Sequence, residues 1–203
     1  ILFSIIGYSQ IAVTGGYTAQ ALANYLAGPN ITVSNAVLTG AGVAAGQFTN
    51  PNGGFPMNSG VILSTGNIST ATGPNNSAGG GSGATFNLGT AGTAQMTSLG
   101  GQTSYDAITL EFDFALQSSS IEFNYIFASE EYPEYAPPNS SSYNDVFAFY
   151  ISGPGITGQE NIALVPGTSN AVAINNINAI TNTQYYIDNA GGQSVQFDGF
   201  TTL

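Results

Sequence analysis

Residues 105–127 read YDAITLEFDFALQSSSIEFNYIF. Ile108, Leu110, Phe112 and Phe114 fall on alternate positions, with Thr109, Glu111 and Asp113 between them. Ile121, Phe123, Tyr125 and Phe127 repeat the pattern against Glu122 and Asn124. A period of two is the signature of a strand with one buried face. Gln117-Ser118-Ser119-Ser120 separates the two runs, so the spacing predicts an antiparallel hairpin.

Outward from this stretch the strand signals continue. Val146–Ile151 is nearly continuous in apolar residues and predicts a central strand. Ile162–Val165, Val172–Ile174 and Val195–Phe197 predict shorter ones. Val61-Ile62-Leu63 predicts a short buried strand. Ile31, Val33, Val37 and Leu38 predict a strand pair turning at Ser34-Asn35. Asn52-Gly53-Gly54 is the clearest turn. Residues 64–93 are polar and rich in Gly, Ser, Thr and Asn, which predicts an extended surface loop.

One helix stands out, Thr18 to Gly28. Thr18 suits an N-cap, the interior is rich in Ala and Leu, and Gly28-Pro29 ends it. Leu22, Tyr25 and Leu26 are spaced to share its buried face. Together these signals predict an all-β chain, a β-sandwich or jelly-roll-like fold with one short N-terminal helix. Residues 14–203 form one domain in this reading. Residues 1–13, ILFSIIGYSQIAV, are either a signal-peptide remnant or an apolar N-terminal pairing strand.

The charge inventory narrows the chemistry. There is no Lys, Arg or His against 11 Asp and Glu, for a net charge of −11. Phosphate binding needs cationic side chains, so nucleic acid is excluded as a partner and an anionic membrane surface is disfavoured. Ile1–Ile6 falls far short of the ~20 apolar residues of a membrane span. Without His or Cys there is no triad nucleophile and no zinc site of the usual kind. Zero Cys also means that no disulfide supports the fold. All the acids lie between Asp106 and Asp198, so the first half of the chain is electrically neutral.

The acids are densest at Glu130, Glu131, Glu134 and Asp145, with Asn139 and Asn144 nearby. Pro133, Pro137 and Pro138 keep this segment out of a regular ladder. Carboxylate and amide oxygens with no cation to pair them suit Ca²⁺, which takes ~6–8 oxygen ligands. Glu130, Glu131, Glu134 and Asp145 are therefore candidate Ca²⁺ ligands. The bland alternative is a solvated acidic loop with Tyr132 and Tyr135 packed beneath it. Glu130 or Glu131 with Asp145 is also the one arrangement open to a carboxylate-pair glycosidase. No Trp, Arg or Lys is present to hold a sugar, so the chain reads as a non-enzyme. Asp188-Asn189 and Asp198-Gly199 read as turn residues. Asn30, Asn67, Asn75 and Asn139 head glycosylation triplets.

Phe127-Ala-Ser-Glu-Glu-Tyr-Pro-Glu-Tyr135, followed by Tyr143-Asn-Asp-Val-Phe-Ala-Phe-Tyr-Ile-Ser-Gly-Pro-Gly155, resembles the choice-of-anchor L domain family of secreted bacterial surface domains. Val61–Gly66, Tyr105–Phe114, Asn161–Gly167, Ile174–Asn178, Tyr185–Asn189 and Phe197–Thr202 follow in the family's order. The resemblance covers about residues 11–203 and implies an extracellular, cell-surface location. It also implies further strands after the Asp-Gly-Phe-Thr segment, so a C-terminal truncation of the domain is an expectation of this reading. Two functions are expected from these readings. One is a structural or adhesive surface domain, self-associating through the N-terminal strand as an extracellular filament. The other is a Ca²⁺-dependent module for a surface glycan.

Overall fold

The computed structural model describes residues 10–51, 53–76, 87–117, 120–139 and 141–202. The expected all-β class is found: the strands are short, every pairing is antiparallel, and α-helix is confined to two short elements among the described residues. β1 (Ala12–Gly15) pairs with β3 (Ala45–Thr49), which pairs with β4 (Ser59–Leu63). β2 (Ile31–Thr39) pairs with β5 (Thr109–Leu116). β6 (Ala128–Ser129) and β11 (Tyr186–Asp188) flank β12 (Gly199–Thr201). β7 (Val146–Phe147) pairs with β10 (Val172–Ala173), and β8 (Tyr150–Ile151) with β9 (Glu160–Asn161).

The first helix, α1 (Ala19–Ala27), is capped as its sequence predicts. Thr18 Oγ1 accepts from the Ala21 amide at 3.2 Å, and Gly28 closes the end at φ 74°. Its buried face is centred on Leu22 and Ala23, whereas Tyr25 and Leu26 are exposed. α2 (Ala94–Gly100) was not expected from the sequence. Its signal is a cap at each end: Thr93 Oγ1 accepts from Met96, and Gly101 turns left-handed.

Several strand expectations are corrected. Ser34-Asn35 is not a turn between two strands but a bulge within the single strand β2. Asn35 takes a positive φ of 54°, which Asn tolerates better than most residues, and its Nδ2 donates to Asp113 Oδ2 at 2.7 Å. The alternation of Ile108 to Phe114 is real, but β5 pairs with β2 and not with residues 121–127. The register sets Val33 against Phe114 and Leu38 against Leu110, so one apolar face is shared. Of the expected Gln117–Ser120 turn, residues 118 and 119 lie outside the described residues.

Val146–Ile151 is broken into β7 and β8. The Phe149 amide donates to Asn161 Oδ1 at 3.0 Å and its carbonyl accepts from Ile162, which draws Ala148-Phe149 out of a continuous ladder. β9 falls earlier than expected, leaving Ile162 exposed while Val165 is fully buried. Val195 forms only a bridge to Thr72. The Asn52-Gly53-Gly54 turn is seen from Gly53 onward, Asn52 lying outside the described residues. The expected surface loop 64–93 is partly core, since Ile68, Ala71 and Asn75 are buried. Its Gly-rich centre, residues 77–86, lies outside the described residues.

Two apolar clusters hold these sheets. Ile11, Phe48, Ala71, Val195 and Phe200 form one. Phe127, Tyr132, Val165, Val172, Ile174 and Ile177 anchor the other. The N-terminal expectation divides at residue 10. Ile11 is buried, its amide donates to the Ser194 carbonyl, and Ala12-Val13 open β1 within their own fold. Residues 1–9 lie outside the described residues.

Candidate acidic site

The acidic loop begins where β6 ends and is closed by the residue that precedes β7. Tyr132 fixes its floor. The ring is fully buried, packs 4.9 Å from Tyr186, and its hydroxyl donates to the Ile177 carbonyl at 2.6 Å. Ser129 fixes the junction. Its Oγ donates to Asp145 Oδ2 at 2.6 Å and accepts from the Glu131 amide at 3.0 Å.

This geometry brings the four sequence-predicted acids into one field. Partial burial pushes the Glu131 carboxyl up to about 7, and Asp145, Glu130 and Glu134 add to the rise in that order. Burial also raises Asp145, opposed by its bond from Ser129. Glu131 Oε2, Glu134 Oε2 and the Tyr186 hydroxyl are buried and make no hydrogen bond. Burial raises the Tyr186 phenol to about 12, with Asp188, Asp198 and Glu134 contributing. In a chain without cationic side chains, such oxygens are satisfied by a proton, water or a bound cation. Among the described residues no three acidic side chains are grouped as ligands of one metal. An ion here would therefore need neutral oxygens and water besides a carboxylate or two.

The flanking residues are structural. Asn139 Nδ2 donates to the Pro133 carbonyl, and Asn144 is used on both sides, from Nδ2 to the Gly100 carbonyl and at Oδ1 from the Asn175 amide. Tyr132 packs beneath the loop as expected. Tyr135 does not; it is 36% exposed and meets Tyr143 edge to face. Ser129 and Tyr186 carry no local signal of these roles, which depend on pairings between segments apart in sequence.

Asp198-Gly199 is not the expected turn, for Asp198 lies in a second polar centre and Gly199 opens β12. Asp198 is 3% exposed and accepts from Asn75 Nδ2 at 2.7 Å. Asn75 also donates to the Asn189 and Phe197 carbonyls, and Asn189 Nδ2 donates to Phe197 and Val195. Asn75 is thus committed inside the fold and is no glycan acceptor. Asp188 ends β11 and its carboxylate accepts from the Ala190 amide, while the Asn189 carbonyl accepts from Gly192, so the turn expected at Asp188-Asn189 is found at residues 189–192.

The acidic site has a pH signature. Unfolded, Glu131 ionises near 4.5; folded, it holds its proton to about 7. Below 4.5 both states are protonated and nothing is lost. As pH rises from 4.5 to 7 the unfolded chain ionises first, so stability falls across that window and stays lower above it. Glu131→Gln should flatten this fall and raise stability at pH 8 by about 1–2 kcal/mol, a figure reduced for solvent screening of a half-exposed group. Urea unfolding of both chains at pH 4, 6 and 8 checks it; a wild-type curve flat from 4 to 8 would contradict it.

The family model Choice-of-anchor L domain covers residues 12–203, nearly the whole chain. No curated protein and no solved structure matches. No helix of the described residues is long and apolar enough to cross a membrane.

Proposed function

The chain belongs to the choice-of-anchor L domain family, whose members are surface domains, and from that premise we propose that it is a structural or adhesive module that assembles with copies of itself outside the cell. The observation that carries this reading is the segment Ile121–Ile126. Ile121, Phe123 and Tyr125 are partly buried, while Glu122 and Asn124 are exposed, as in a strand. Phe123 lies 4.4 Å from Phe149 and Tyr125 lies 5.0 Å from Phe147, an antiparallel order of ring pairs. Yet the backbone of Ile121–Ile126 forms no hydrogen bond with any described residue. A pleated segment with free amides and carbonyls is a template for an added strand.

The donor in this reading is the apolar run Ile1–Ile6 of a neighbouring copy. It carries no charge, and the acceptor carries only Glu122, so pairing meets little repulsion. Non-catalytic function is supported by the absence of Lys, Arg, His and Cys. Asn124→Pro tests the reading, because Pro removes the amide that an added strand would use while Asn124 contributes no described bond of its own. Electron microscopy should show filaments or sheets for the wild type and dispersed monomers of unchanged Tm for the variant. Assembly that ignores the substitution, or a wild type monomeric at every concentration, would defeat it.

A second reading, a Ca²⁺-dependent module for a surface glycan, is favoured by the unpartnered Glu131 and Glu134 oxygens. It predicts a Ca²⁺-dependent rise in Tm that Glu131→Gln weakens, because a ligand stabilises in proportion to its saturation. Glycan binding should then vanish with chelator. A Tm indifferent to millimolar Ca²⁺ removes this reading and leaves the first intact.

A further inference from the structure

We propose that Tyr135 and Tyr143 form an oxidative cross-linking site, at which the two rings become joined as dityrosine. The rings meet with centroids 5.0 Å apart at 79°, and both are open to solvent, 36% and 57% exposed. The second close tyrosine pair among the described residues, Tyr132–Tyr186, is sheltered, since Tyr132 is fully buried. The other well-exposed tyrosines, Tyr17, Tyr25 and Tyr105, have no tyrosine ring against them among the described residues. Among the described residues the site is therefore the one place where two reachable phenols already touch.

Composition adds an independent argument. With no Cys the chain cannot form a disulfide, and with no Lys it cannot form an amide or imine cross-link. Trp and His are absent as well, while Tyr numbers 11. Tyrosine is the one side chain left for joining ring to ring. The bond would close Tyr135-Ala-Pro-Pro-Asn-Ser-Ser-Ser-Tyr143, the part of the acidic loop between Glu134 and Asp145.

The oxidant is hydrogen peroxide acting through a haem peroxidase, which takes electrons one at a time. Each phenol gives up one electron and one proton to become a phenoxyl radical. The two radicals couple between ring carbons ortho to the oxygens, and the hydrogens on those carbons return to the oxygens as the rings regain aromaticity. The pair has then lost two hydrogen atoms in all, and one hydrogen peroxide has become two waters. Edge-to-face rings must turn towards one another to couple, and their exposure leaves room for that rotation.

The experiment treats dilute folded protein with hydrogen peroxide and a haem peroxidase, then cleaves it after acidic residues. No acid lies between Tyr135 and Tyr143, so both rings fall in the single peptide Tyr135–Asp145. The expected result is dityrosine fluorescence in monomeric chain, with that peptide lighter by two hydrogens and resistant to fragmentation between its tyrosines. Tyr143→Phe and Tyr135→Phe should each reduce the monomer signal to background, while Tyr105→Phe leaves it unchanged. A Tyr135–Asp145 peptide of unaltered mass, fluorescence confined to covalently joined chains, or a signal that survives Tyr143→Phe would each overturn the proposal.

Discussion

Tyr132→Ala is expected to lower the unfolding free energy by about 4–6 kcal/mol, combining the cost of emptying a buried aromatic site with that of a lost buried hydrogen bond. Tyr132 is fully enclosed and sits where β6, β12 and residues 174–177 meet. Gly199 shows how tightly it is held. A Cβ placed there would lie 2.8 Å from the Tyr132 ring and 2.7 Å from the Tyr186 ring, so β12 passes these rings only as glycine. Such a loss is a large share of the ~5–15 kcal/mol that ordinarily separates folded from unfolded chains. Tyr132→Phe isolates the hydroxyl, which donates to the Ile177 carbonyl, and should cost about 1–2 kcal/mol. Urea midpoints at unchanged slope provide the measurement. A loss under about 2 kcal/mol for Tyr132→Ala would show that the site collapses and that the ring is no keystone.

Asn75→Leu should cost about 3 kcal/mol despite adding apolar surface. It withdraws donors from the buried Asp198 carboxyl and from the Asn189 and Phe197 carbonyls, and no cationic side chain exists to replace them. Asn75→Asp should be worse at neutral pH, because it sets a second carboxyl against Asp198. That variant should recover as pH falls and the new acid takes up a proton, the reverse of an ordinary ion-paired carboxylate. Thermal melts at pH 4.5 and 7.5 distinguish the two variants. An Asn75→Asp chain as stable as the wild type at pH 7.5 would mean that this network carries little of the fold.

Those two residues also mark the limit of what sequence reading reaches here. Local signals were legible. Thr18 and Gly28 bound a real helix, and the alternation from Ile108 to Phe114 matches burial along β5. Partner choice was not, because it depends on bonds between segments far apart in sequence. β5 took β2, some 80 residues away, over the run that follows it, once Asn35 had absorbed the misfit as a bulge. A single side-chain amide, Asn161, divided a continuous apolar run into β7 and β8.

The candidate site was legible in the same partial way. Crowded acids near Glu131 stand out in a chain without cations, and the structure gathers them. Ser129, which links Asp145 to the loop, is indistinguishable in sequence from the many other serines. Asp198-Gly199 has the composition of a turn, yet Asp198 is buried, because Asn75 arrives from the other half of the chain to receive it.

In the assembly proposed above, Ile121–Ile126 is an open strand position filled by another copy. Hydrogen exchange of those six amides, in dilute monomer and in concentrated assembled protein, tests it most directly. Fast exchange of all six is expected in the monomer and protection of alternate amides, Asn124 among them, on assembly, with the remaining amides of Asn124→Pro exchanging fast in both. Protection already complete in the dilute monomer, or all six amides still fast within assembled material, would contradict it.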